Sequence, residues 1–156
     1  MSLALDATFG ALEDWAPVAA LRASAIAYPL VNAAHVVGVA LLFGAIVPLD
    51  LRLAGWRADA IAVDRAARLL LPVAIAGLAL AVAAGLLLFA TAARDYAASP
   101  LFQAKMVLLG LAVANAFVLR RVEWRDARTT RVRVAGVASA LSWLGVIVLG
   151  RLVGYF

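Results

Sequence analysis

Residues 25–47 read AIAYPLVNAAHVVGVALLFGAIV, a run with no Asp, Glu, Lys or Arg and a single histidine at position 35. At about 1.5 Å of rise per residue, a helix of this length exceeds the roughly 30 Å hydrocarbon core of a bilayer. Three more stretches are apolar and long enough to be read as spans, the last two despite Lys105 and Arg151: 69–93 (LLLPVAIAGLALAVAAGLLLFATAA), 101–119 (LFQAKMVLLGLAVANAFVL) and 134–156 (VAGVASALSWLGVIVLGRLVGYF). The 156-residue chain is 67% hydrophobic and 15% charged, against roughly 45–50% apolar and 25% charged in soluble domains. The fold class expected is therefore an all-α integral membrane bundle of four antiparallel helices, since short connections make consecutive spans neighbours. It forms a single membrane domain over 1–156, with no room for a separate soluble catalytic domain.

Around these spans the chain is short and polar. Residues 9–22 carry Leu12, Trp15 and Leu21 among Glu13 and Asp14 and are broken at Pro17, which predicts a short N-terminal interfacial helix. Asp6, Glu13 and Asp14 against one Arg22 are the reverse of a cleavable signal peptide, so the N-terminus is expected to be retained. The first span is expected to stop at Pro48, leaving Asp50-Leu51-Arg52 as a solvated charge cluster at the helix end.

Orientation follows from the basic residues. Arg52, Arg57, Arg65 and Arg68 lie between the first two spans, and Arg120, Arg121, Arg125, Arg128, Arg131 and Arg133 between the last two. Arg22 and Arg94 are all that the other side carries outside the spans. This asymmetry places both Arg-rich loops in the cytoplasm and both termini in the periplasm of a bacterial inner membrane. Trp56 and Trp124 at one boundary and Tyr28, Tyr96 and Tyr155 at the other fit that slab. Topology accounts for the net charge of +5, and a nucleic-acid partner is not expected. Zero cysteines exclude a disulfide, a thiolate zinc site and an iron–sulfur cluster.

An ionisable group at mid-span costs about 2.5–3.5 kcal/mol on insertion scales, so each asks for a reason. His35, the only histidine, Lys105, the only lysine, and Arg151 all fall in the outer half of the slab. Tyr28, Asn32, His35, Gly38 and Leu42 recur at helical spacing and predict a face turned to the bundle interior. Two readings stay open. His35 can hydrogen-bond to Asn32, to Ser142 or to a backbone carbonyl of a neighbouring helix, while Lys105 and Arg151 snorkel to headgroups and Asn115 and Ser142 bond between helices. Alternatively His35 is the axial ligand of a haem b, because one imidazole suffices as a proximal ligand and propionates want Lys or Arg at the water boundary. Lys105 would then be a second ligand or a propionate partner, and Arg151, Asn32 and Tyr28 would complete the cofactor site. Catalytic triads lack their parts, since all carboxylates lie in loops or flanks.

The segments YPLVNAAH (28–35), DLRLAG (50–55) and SPLFQAK (99–105) strongly resemble a group of bacterial four-span membrane proteins known only as a domain of unknown function. A His in the first span and a Lys early in the third also resemble, more remotely, the four-span haem-containing protoporphyrinogen oxidase and the copper-resistance protein D group. The oxidase resemblance implies that His35 and Lys105 are the functional residues. The expected function is a small b-type haem protein in electron transfer or in oxidation of a lipophilic substrate, with the bilayer and a quinone or porphyrin as partners. The alternative is a non-enzymatic accessory subunit of a larger membrane complex or a homo-oligomer. For that reading Gly77, Ala81 and Gly85, four residues apart, supply a small-residue packing stripe. A transporter is the third option, with neither an inverted repeat nor a clear polar path to support it.

Overall fold

In the computed structural model, which describes residues 3–56, 62–121 and 129–155, every regular element is helical. The order is α1 (Leu3–Glu13), α2 (Ala16–Ala23), α3 (Ala27–Leu53), α4 (Val63–Ala90), α5 (Ala93–Ala98), α6 (Pro100–Arg121) and α7 (Thr130–Leu152). Four of these, α3, α4, α6 and α7, are long and apolar enough to cross a membrane. Large apolar side chains on their outer faces, such as Leu86, Leu111 and Leu141, are more than half exposed, a surface suited to lipid rather than water. The protein is a multi-pass all-α membrane bundle. Arg57, Trp124, Arg125 and Arg128, used in the orientation argument, lie outside the described residues, as do the side chains of Arg120 and Arg121.

Several boundaries differ from the sequence reading, each for a physical reason. Pro48 does not stop the first span: α3 runs through it to Leu53. Pro48 lacks the N–H that would bond the Gly44 carbonyl, at a cost of about 3 kcal/mol. Continuing the helix seats Leu49 and Leu53 against Val63, Ala67, Leu119 and Val132, and each such side chain is worth about 1.5–3 kcal/mol when withdrawn from water. The helix then ends as a Schellman motif. Gly55 N–H bonds Arg52 O and Trp56 N–H bonds Leu51 O, with Gly55 at φ +98°, where a side chain is strained.

The amphipathic N-terminal stretch is two helices, α1 and α2, because Pro17 sits in the first turn of the second, a position that needs no N–H. The turn after the second span contains the six-residue helix α5. Ser99 then caps α6, accepting from Phe102 N–H at 3.3 Å, with Pro100 as first residue. α4 starts at Val63, with Asp64 and Arg68 paired across its first turn at 2.9 Å, and α7 starts at Thr130, its Thr129 cap accepting from Val132 N–H.

Packing is strongest between α3 and α4, then between α6 and α7, then between α3 and α7. The fourth side, between α4 and α6, is the most loosely packed and is joined by side chains, with Ala74 and Ala112 in one buried cluster and Ala67 and Leu119 in another. Small residues decide this pattern. A Cβ on Gly38 would lie 2.5 Å from Ala81 N, and one on Gly77 2.5 Å from Leu42 N, so α3 and α4 meet backbone to backbone. On the other side of α3, Gly136 of α7 lies against the Asp50 carbonyl. At the end of the bundle that carries both termini, the gap between α4 and α6 is filled by aromatic rings. Phe89 stacks on Phe102 at 5.4 Å, and Tyr96 and Phe9 flank them. Arg94 fastens α1 over this end through a backbone bond from its N–H to Glu13 Oε1 at 2.8 Å.

Candidate functional site

His35 lies half-buried on α3, facing α4. Its Nδ1 is 2.7 Å from the Ala81 carbonyl, and its Nδ1–Cε1 edge sits in the space left by the missing side chain of Gly85. A carbonyl only accepts, so Nδ1 carries the proton and Nε2 is the free acceptor. The stripe Gly77-Ala81-Gly85 is therefore occupied within the chain: two members admit the α3 backbone and the third admits the imidazole.

Lys105 turns to a different neighbour. Its Nζ and Cε rest against Gly150 of α7, and Nζ stands 5.9 Å from the centroid of the Phe102 ring. Arg151 is exposed, bonds the Tyr155 hydroxyl at 2.5 Å and lies 4.7 Å over that ring. Asn32, expected inside, is exposed, because α3 turns its Gly38 and Leu42 face onto α4 and the core, and six residues before Gly38 the helix has carried Asn32 about 120° away from that face. Tyr28 is half-buried and near Tyr96, whose phenol is pushed above its ordinary value by burial first, then by Tyr28 and Asp95. Asn115 bonds between helices, donating to Ala135 O at 3.1 Å. Ser142, expected to do the same, donates instead to Ala138 O of its own helix at 2.7 Å.

A haem clasped between His35 and Lys105 needs both side chains on one slot, and they address different helices. In this structure the two are engaged separately, His35 with α4 and Lys105 with α7. His35 alone keeps an uncommitted ligating nitrogen. Among the described residues, no three His, Asp or Glu side chains converge as a metal site.

The most unusual chemistry lies at the opposite end, where the chain turns through its Arg-rich loops. Asp50, expected to be solvated, is 2% exposed. The continuation of α3 past Pro48 carries it inward, and Gly136 lets α7 close over it. Its carboxyl faces Ser139, which is 1% exposed, and Trp143 follows one turn on at 3%. Asp50 Oδ2 and Trp143 Nε1 make no hydrogen bond among the described residues, while the Ser139 hydroxyl lies beside the Asp50 carboxyl as its polar neighbour. Each such orphan costs about 1–3 kcal/mol.

These three residues stand in the wall of a cavity of about 200 Å³, otherwise lined by apolar side chains of α3, α4, α6 and α7. Ile75 of α4 and Phe117 of α6 line it and are also 49% and 58% exposed, so the cavity reaches the outer surface on the loosely packed α4–α6 side. A benzene-sized ring occupies an apolar cavity of about 150 Å³, whereas sites for larger ligands run to roughly 300–1,000 Å³. One ring fits here; a haem does not. The sequence does carry a signal for Asp50, since it falls four residues after Ile46 and three before Leu53 on one helix face. No family model, curated protein or solved structure matches the chain.

Proposed function

We propose that the protein binds a small lipophilic molecule drawn from the bilayer, seating its polar end beside Asp50, Ser139 and Trp143 and its tail between α4 and α6. The observation that carries this reading is an apolar cavity of about 200 Å³ whose lining includes Ile75 and Phe117, both also exposed on the outer surface, and the buried Asp50, Ser139 and Trp143. Buried polar groups are almost always satisfied, so a carboxyl oxygen and an indole N–H left without a bond beside an apolar cavity support a ligand there, reached by a small shift of the Asp50 or Trp143 side chain. The tail would lie among lipid chains, so only the head need be desolvated. A single-ring photoprobe with a long alkyl tail, activated in nanodiscs, is expected to label α4 and α6 around Ile75 and Phe117. Even labelling along every lipid-facing surface would remove the reading.

A second reading keeps haem b, with His35 as single axial ligand, and is favoured by the Nδ1–H bond to Ala81, which fixes the tautomer and leaves Nε2 free. A Soret band in the protein purified with haem supplementation, absent from His35→Ala, is the expected result under it. A colourless parent protein would exclude it. The accessory-subunit reading loses its stripe, which α3 already covers.

The arginine asymmetry further supports a bacterial inner membrane with both termini periplasmic. A cysteine placed at Ala97, in α5, is expected to react with a membrane-impermeant thiol reagent in intact cells, and one at Thr129, before α7, to stay unlabelled. The opposite pattern would invert the topology.

A further inference from the structure

We propose that Asp50 is a proton-operated gate on the cavity. While the carboxyl holds its proton the cavity takes the lipophile; once the proton leaves, the carboxylate turns into the cavity with water and expels it. This rests on the lipid-fed cavity described above and adds its regulation.

Asp50 is 2% exposed, and its Oδ2 makes no hydrogen bond and is sealed from the cavity that the residue helps to wall. Its polar neighbour is the Ser139 hydroxyl. That setting suits a neutral acid, whose O–H can donate to a hydroxyl oxygen. A carboxylate there needs a paired cation or several donors, and one hydroxyl offers one proton. No cation among the described residues stands in as counter-ion. On α3, Arg52 lies two residues on, about 200° round the helix. On α4, Arg68 pairs with Asp64 at 2.9 Å and Arg65 is exposed. On α7, Arg131 and Arg133 are exposed, and the Arg133 guanidinium rests against Gly55. α6 contributes only Val113, Ala116, Phe117 and Leu119 to the cavity wall.

Packing decides where an ionised side chain can go. A Cβ on Gly136 would lie 2.9 Å from the Asp50 carbonyl oxygen and 3.0 Å from Leu53 Cβ, so α3 and α7 leave no room for water between them. The cavity is the space beside the carboxyl. At about 30 Å³ per molecule, its volume of about 200 Å³ holds roughly six waters, enough to hydrate one carboxylate. Water around a charge and a hydrocarbon ring cannot share that volume, so occupancy is exclusive. Asp50 stands one turn before the end of α3 at Leu53, which puts the exchanging water on the side of the Arg-rich loops. The step is a plain proton transfer from carboxyl to water and back, with no other bond made or broken.

The test is photolabelling of the parent protein in nanodiscs, with an alkyl-tailed ring probe that carries no titrating group, at about pH 5 and about pH 9.5, a span that covers documented buried carboxyls. Labelling at Ile75 and Phe117 is expected to be about tenfold weaker at the higher pH, while labelling of outer-face positions such as Leu86 and Leu111 stays the same. Infrared difference spectra of the parent are expected to lose, over the same pH range, a protonated-carboxyl band that shifts with ¹³C-aspartate. Asp50→Asn, which cannot ionise, is expected to label equally at both pH values, whatever its level. Specific labelling of the parent that is unchanged or stronger at high pH would overturn the gate and leave lipophile binding standing. A fall that persists in Asp50→Asn, or that lacks the aspartate band, belongs to another group and would overturn it too. Labelling at Ile75 and Phe117 no stronger than on the outer faces at either pH removes the cavity reading and the gate with it. The parent measurements do not depend on any variant folding.

Discussion

Gly38→Leu is expected to eliminate folded, monodisperse protein, while Gly44→Leu, six residues further along the same helix, is expected to melt like the parent. A side chain at Gly38 meets Ala81 N at 2.5 Å and Gly77 O at 2.8 Å. Both are backbone atoms of α4, so no rotamer change relieves the clash. Ordinary overpacking costs about 1–3 kcal/mol because side chains yield. Here whole helices must separate, and the loss should exceed that range and take a large part of the roughly 5–15 kcal/mol typical of a folded protein. At Gly44 nothing lies within 4 Å of an added Cβ, so the side chain enters lipid. Thermal unfolding in detergent followed by circular dichroism separates the cases. A Gly38→Leu protein that melts within a few degrees of the parent would show that α3 and α4 do not cross backbone to backbone.

The second large effect has the opposite sign. Asp50→Leu is expected to stabilise the protein by about 1–3 kcal/mol and to end specific photolabelling at Ile75 and Phe117. Replacing a buried charged or polar group by an apolar one of similar volume is often neutral or stabilising, and here Oδ2, one of the two carboxyl oxygens, has no bond to lose. The leucine also fills space the ligand would need. A protein that keeps an unsatisfied carboxyl at the cost of stability behaves as one whose site is selected for binding. If Asp50→Leu instead loses stability by that amount, the carboxylate is held by a partner and the cavity is not waiting for one.

The bundle itself was legible in the sequence because lipid imposes it: long uncharged runs must be helices, and their number and spacing follow directly. The small residues at 77, 81 and 85 could be read as a packing surface, but not that Gly38 would meet it, since the opposing helix is chosen by tertiary fit. The hydrogen bond of His35 to a neighbouring backbone carbonyl was one of two open readings; its acceptor, Ala81, depends on where α4 crosses. Asp50 was misread because Pro48 looked like a terminator and an Asp-Leu-Arg triplet looked like a solvated end. Only the packing of Leu49 and Leu53 reveals that the helix runs on and carries the acid inside. Ser139 and Trp143 are unremarkable in a membrane helix until a carboxylate faces them.

The aromatic plug of Phe9, Phe89, Tyr96 and Phe102 has a consequence for sidedness. It fills the space between α4 and α6 at the end that carries both termini, whereas Ile75 and Phe117 of the cavity lining lie further along the same seam. A tail leaving between Ile75 and Phe117 would lie among the acyl chains of one leaflet, the one nearer the Arg-rich loops, with the aromatic plug across the seam on its way to the other. The protein would therefore sample a single face of the membrane, and a lipophile delivered to the opposite leaflet would reach it only after crossing the bilayer by itself.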